Sequence, residues 1–240
     1  MYMPALKLLV INPVSTDVWN DYLMRFAKSV LPGDVEVEVR NLPKAPPAIE
    51  CEYDRDLAAP YVVEEVVRAN REGFHGIVIN CFDDPGLEAS REVSEIPVLG
   101  IGETSMVVAL LLGYRIAVIS TGRNSRLTYY RKAVALGIEK RIVYTSGIEV
   151  SVLNLRKDLE SVRKMLLSEI RRAVEDYGAE VIVLGCGGFI GLAEDLSKSS
   201  GVPVIDPTLV TLKVAESIVR LGLKHSRIYL FNRLSTPYMA

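Results

Sequence analysis

The chain reads as an α/β protein built from two pseudo-symmetric half-domains, each a small parallel sheet wound by helices. Short β-branched runs alternate with longer stretches of helical periodicity through most of the 240 residues. The runs are mostly apolar at successive positions, which suits strands of a parallel sheet buried on both faces. Two segments also repeat. Gly76-Ile-Val-Ile-Asn-Cys81 parallels Glu180-Val-Ile-Val-Leu-Gly-Cys186, and Glu95-Ile-Pro-Val-Leu-Gly100 parallels Gly201-Val-Pro-Val-Ile-Asp206. The cysteine offset is 105 residues and the proline offset 106, so the copies stay nearly in step.

In chain order, residues 6–12 (Leu-Lys-Leu-Leu-Val-Ile-Asn) are the first expected strand and amphipathic 17–30 the first helix. Val-Glu-Val-Glu-Val-Arg at 35–40 is the second strand, Pro-rich 41–47 a surface loop, and 59–71 the second helix. Strand 76–80 leads into the first cysteine, helix 87–95 follows, and 98–101 is the fourth strand. An apolar helix then runs to Leu112-Gly113. The second half repeats the order with strands 115–120, 141–145, 180–184 and 202–205. Its helices are 125–136, 155–177, a short 188–198, and 209–221, ending again in Leu221-Gly222. The repeat favours two halves over an eight-stranded barrel.

Composition bounds the partners. Net charge is −2 and the pI about 5.8, so no basic excess exists to neutralise phosphates, and nucleic-acid binding is not expected. No apolar run approaches the roughly 20 residues of a membrane span. The apolar stretch from Leu6 to Ile11 is too short, and too soon followed by Asn12-Pro13, for a signal peptide. A cytoplasmic protein with a small-molecule substrate, acting as a homo-oligomer, is expected. Three cysteines cannot complete a disulfide framework, and two histidines without H-E-x-x-H or C-x-x-C give no metal site.

Ligands of open α/β sheets bind beyond the carboxyl ends of the strands, where Cys81 and Cys186 both stand at strand-to-helix turns. Unpaired N–H groups and a helix dipole at such a turn are expected to lower the thiol pKa. Two cysteines on matched turns would face each other between the halves, roughly 7–10 Å apart with a carbon centre between them. That suits racemisation, in which one thiolate takes a proton and the opposite thiol returns one. A lone cysteine at a strand end is usually a small buried apolar residue. Two at matched positions of a repeat shift the balance to chemistry. Cys51, between Glu50 and Glu52 and without a counterpart, is incidental.

A second motif overlaps the first. Gly185-x-Gly187-x-x-x-Gly191, with Asp206 further on, approximates a dinucleotide fingerprint. The helix after it is short and the turn at Cys81 lacks such glycines, so no nucleotide cofactor is expected.

At these residues the chain resembles the Asp/Glu/hydantoin racemase superfamily, and most its hydantoin racemase branch, over nearly its whole length. Ile11-Asn12-Pro13-Val14-Ser15-Thr16 is similar to the family's I-N-P-N-[ST]. Asn80-Cys81-Phe82-Asp83-Asp84-Pro85-Gly86-Leu87 is similar to its first cysteine block, and Gly100-Ile101-Gly102-Glu103 to the start of its G-I-x-E-A. Gly185-Cys186-Gly187-Gly188-Phe189 answers G-C-A-G-M, and residues 201–206, Ala215-Glu216 and Leu221-Gly222-Leu223 close the match. Val14, Thr104, Gly187, Phe189 and Pro207-Thr208 depart from the pattern, whereas both cysteines survive.

The resemblance implies Cys81 and Cys186 as the catalytic pair. It implies that Asn12, Thr121 and backbone N–H groups beside both cysteines, at Gly187 and Gly188 among others, hold the substrate. Ser15 and Phe82 are grouped with them. Read from the residues alone, Asn12 is equally a turn asparagine, Thr121 an N-cap, Glu103 a first-turn acid, and Phe82 or Phe189 core. The family further implies that the last helix returns to the first half, so that residues 1–101 with 209–240 form one half and 102–208 the other. No PLP, nicotinamide or metal is implied. A 5-substituted hydantoin is the expected substrate, because its carbonyl stabilises a carbanion and its neutral ring asks for no cation. An amino acid comes second. A one-cysteine lyase or decarboxylase, or a non-catalytic ligand-binding protein, would also suit the same fold.

Overall fold

The first apolar run becomes β1 (Leu6–Asn12), buried at every position but Lys7. The computed structural model describes residues 5–122 and 125–228. After β1 come α1 (Asn20–Val30), β2 (Val35–Asn41), α2 (Glu52–Ala69), β3 (Gly76–Ile79), α3 (Leu87–Val93), β4 (Val98–Gly100) and α4 (Ile101–Ala109). The second set is β5 (Ile116–Thr121), α5 (Ser125–Ala135), β6 (Ile142–Ile148), α6 (Leu159–Glu175), β7 (Val181–Leu184), α7 (Ala193–Ser200), β8 (Val204–Ile205) and α8 (Pro207–Arg220).

The strands form two all-parallel sheets of four, ordered β2-β1-β3-β4 and β6-β5-β7-β8. The same order therefore occurs twice, as the sequence repeat requires. Each sheet reverses its winding between its two central strands, β1 and β3 or β5 and β7, and opens a crevice at their carboxyl ends.

Successive residues of a strand face opposite sides, and the core follows that alternation. Leu8 and Val10 pack under Leu23, Leu212 and Ala215 of α1 and α8. Leu9 and Ile11 join Val62 and Val66 of α2 in a second cluster that continues into Ile119, Ile182 and Leu184 of the other sheet. One core thus spans both halves. In α6 the buried Val162, Leu166, Ile170 and Ala173 repeat at helical spacing. Burial of each larger side chain among them contributes about 1.5–3 kcal/mol.

Several element boundaries differ from the sequence reading, among them the starts of α1, at Asn20 rather than 17, and of α7, at Ala193 rather than 188. α2 starts at Glu52, and Pro60, a residue suited to a first helical turn, stands inside it. α6 starts at Leu159 because Asp158 caps it, accepting from the Ser161 N–H at 3.0 Å, and residues 152–154 form a separate 3-10 turn. α8 starts two residues early, with Pro207 in its first turn and Asp206 accepting from the N–H groups of Thr208 and Leu209. This last helix packs on α1, β1, β3 and β4 of the first sheet and on α4. Residues 229–240, grouped with it in the sequence reading, lie outside the described residues. Among the described residues no helix is long and apolar enough to cross a membrane.

Candidate active site

Cys81 is the second residue after β3 and Cys186 the second after β7, so the two occupy equivalent positions in the two sheets. Both line one cleft enclosing about 560 Å³, measured out to its mouth. Neither is in a disulfide. Each sulfur receives an N–H from two residues further on, Asp83 for Cys81 and Gly188 for Cys186, the latter at 3.3 Å.

The expected lowering of the thiol pKa is not what the fold provides. α3 begins only at Leu87 and α7 only at Ala193, while Cys186 opens a three-residue 3-10 turn, so no α-helix N-terminus is aimed at either sulfur. Burial pushes the Cys81 thiol well above its ordinary value, and the Asp83 carboxylate adds to the effect. Burial likewise pushes Cys186 up to about 11, against the pull of the Gly188 N–H.

A chain of amides runs from the cleft, which Asn80 and Asn12 line, to the helix and strand behind it. Asn80 donates to Asn12 at 2.7 Å, Asn12 to Asn20 at 2.8 Å, and Asn20 to Asn41 at 2.8 Å. The Thr208 hydroxyl, in the first turn of α8, donates to Asn80 at 2.7 Å. This chain ties β1, α1, β2, α8 and the Cys81 loop to one another. A side chain at Gly187 would crowd the Asn80 amide, its Cβ only 3.0 Å from Oδ1.

Two further locks hold the cysteine loops. The hydroxyls of Ser120 and Tyr129 converge on the Gly185 carbonyl, directly before Cys186. On the other side Asp84, at φ +52°, spans the Gly102 and Glu103 N–H groups at 2.9 and 2.7 Å and the Lys132 ammonium at 2.6 Å. Gly100 and Gly102 make room for it. A Cβ at Gly100 would fall 2.3 Å from the Asp84 carboxylate, and one at Gly102 2.0 Å from the Phe82 carbonyl oxygen.

The structure brings Asn12, Cys81, Phe82, Thr121, Cys186, Gly187 and Gly188 to this one cleft. Ser15 is not brought to it: the residue is exposed on the loop after β1, its N–H donating to the Pro46 carbonyl at 3.0 Å. Thr121 ends β5 four residues ahead of α5, so it is no N-cap. Phe82 both lines the cleft and packs edge-on against Tyr129, with ring centroids 4.8 Å apart, whereas Phe189 is wholly buried core. Glu103 is a first-turn acid of α4 paired with Arg91 at 2.7 Å, away from the cleft. Trp19, Asn80, Asp83, Ser120 and Tyr129 line the cleft without having been singled out in the sequence. Asn80 and Asp83 flank Cys81 closely enough to have been found; Tyr129 arrives only through the fold. Among the described residues no group of His, Cys, Asp and Glu is gathered to hold a metal ion.

The family model for Asp/Glu/hydantoin racemases matches residues 8–215. A hydantoin racemase from Pseudomonas sp. (strain NS671) is 37% identical over 223 residues, covering 93% of this chain and 90% of that protein. An allantoin racemase from Klebsiella pneumoniae superposes with a TM-score of 0.91 at 29% identity, over 96% of this chain and 94% of that one. A glutamate racemase from Francisella tularensis subsp. tularensis SCHU S4 shares the fold, with a TM-score of 0.66 at 18% identity over 94% and 85% of the two chains. The chain belongs to the Asp/Glu/hydantoin racemase family. Its two parallel four-stranded sheets with flanking helices match the fold of the allantoin racemase and glutamate racemase structures. It is an isomerase, a racemase of the hydantoin and allantoin racemase type.

Proposed function

We propose that the chain racemises a 5-substituted hydantoin by a two-base mechanism in which Cys81 and Cys186 exchange one proton with opposite faces of the ring carbon C5. The observation that carries this reading is the placement of two free thiols, one from each sheet at equivalent strand ends, in a single cleft. One sulfur, as thiolate, takes the proton from C5. The electron pair passes into the neighbouring ring carbonyl as an enolate. The other sulfur, as thiol, protonates the opposite face, and the two have then exchanged roles. Charge on one sulfur opposes charge on the other, which disfavours ionisation of both at once.

The neutral ring is favoured over an amino acid by the cleft lining. Among its described residues there is no Lys, Arg or His to meet a carboxylate, and Asp83 would repel one. Residues 1–101 with 209–240, and 102–208, are read as the two walls. Unpaired thiols suit the reducing cytoplasm.

Separate D and L samples of a hydantoin panel and of aspartate and glutamate, followed by circular dichroism, test the reading. Both hydantoin enantiomers are expected to decay to zero ellipticity without added cofactor or metal, while the amino acids keep theirs. Loss of signal from the amino acids alone would assign the second substrate class.

A further inference from the structure

The cleft is pseudo-symmetric in its backbone and asymmetric in its side chains. The N–H groups of Asp83 and Gly188 occupy matched positions, each two residues after a cysteine and each against its sulfur. Only one of the two residues has a side chain. At Gly188 a Cβ would sit 2.7 Å from Leu155 Cδ1, 3.4 Å from the Cys186 sulfur and 3.5 Å from the Trp19 indole nitrogen. The indole therefore reaches the space that a side chain at Gly188 would claim, beside Cys186.

Two polar atoms of this cleft, Trp19 Nε1 and Asp83 Oδ1, are buried and make no hydrogen bond. Leaving a buried polar atom without a partner is unfavourable, so each calls for one. One is a donor and the other an acceptor. They stand beside different cysteines.

We propose that Asp83 and Trp19 determine substrate specificity as a pair, Asp83 accepting a ring N–H beside Cys81 and the Trp19 indole donating to a ring carbonyl beside Cys186. The inference rests on the hydantoin reading for its substrate class. In a hydantoin the reacting C5 is bonded to N1–H on one side and to the C4 carbonyl on the other. With C5 between the sulfurs, N1–H meets Asp83 and the C4 oxygen meets the indole N–H. Negative charge builds on that oxygen when C5 loses its proton, so a donor aimed there stabilises the transition state more than the ground state. An α-amino acid offers a carboxylate where the ring offers a carbonyl, and Asp83 opposes its entry.

Trp19 is the only tryptophan of the chain, so its fluorescence reports occupancy of the cleft without turnover. Hydantoin, 1-methylhydantoin and 3-methylhydantoin are titrated into the wild type, Asp83→Ala and Asp83→Asn, with folding of each variant verified by far-ultraviolet circular dichroism. In the wild type 1-methylhydantoin is expected to bind at least about tenfold more weakly than hydantoin, the value of a hydrogen bond to a charged group. 3-Methylhydantoin stays within about threefold, since N3 faces neither group. Asp83→Ala removes the penalty for 1-methylation, and Asp83→Asn, which keeps a neutral acceptor, restores part of it. Equal binding of all three rings, a penalty that persists in Asp83→Ala, or no binding of hydantoin overturns the proposal. Selective binding without racemisation of 5-substituted hydantoins overturns the functional reading instead and leaves this one standing.

Discussion

At Cys81 and Cys186 burial and hydrogen bonding act in opposite directions, and burial wins. Each sulfur has one N–H partner, yet a thiolate in this cleft has given up its hydration, and both thiols titrate above their ordinary value. The sign matters for reactivity. A raised pKa leaves a small thiolate fraction at neutral pH, and that fraction grows about tenfold per pH unit until the pKa is reached. On a Cys51→Ser background, which removes the exposed third thiol, inactivation by iodoacetamide is therefore expected to accelerate from pH 7 past pH 9. A rate that levels off below pH 8 would mean lowered thiol pKa values and contradict this account. The cysteines themselves were legible in the sequence because each ends a strand-like run in matched context. Their titration was not, because it depends on where the helices start and on how much water the fold removes. Ser15 shows the same limit: the motif grouped it with the substrate-binding residues, but the loop after β1 carries it outward.

The elements around the site are positioned by short polar links rather than by apolar packing alone. Asp84 is nearly fully buried in the left-handed region and bonds two N–H groups at the start of α4 and the ammonium of Lys132 on α5. This ion pair joins the Cys81 loop to the second half. Lys132→Met would leave a buried carboxylate without its cation, an expected loss of about 3 kcal/mol in urea denaturation. A loss under about 1 kcal/mol would show that the two N–H groups suffice. Strands were the most readable elements, because a fully buried parallel strand must be apolar at every position. Helix starts were less so: Pro60 disguised the interior of α2, and Asp158 rather than the apolar pattern sets the start of α6. Trp19 and Tyr129 reach the cleft from α1's N-terminal cap and from α5, contacts that no local pattern encodes.

Across the whole molecule, one sheet order is used twice and the continuous core fixes the two copies against each other. The sequence repeat showed the duplication, and with it the equivalence of the two cysteines. What it could not show is the amide chain and the Asp83–Trp19 asymmetry, which arise where matched positions of the two halves carry different side chains, as Gly188 does opposite Asp83. In the proposed mechanism each cysteine serves one face of the substrate carbon, and single substitutions separate the two roles. Replacing either sulfur by a hydroxyl removes an accessible base from one wall, since an alcohol is scarcely ionised at neutral pH. Cys81→Ser and Cys186→Ser are incubated in D2O with separate D and L samples of a 5-substituted hydantoin, and exchange at C5 is followed by NMR. Each variant is expected to lose net racemisation but to exchange the C5 hydrogen of one enantiomer only, and the two variants to select opposite enantiomers. A variant that still racemises at close to the wild-type rate, or two variants that exchange the same enantiomer, would contradict the two-base account.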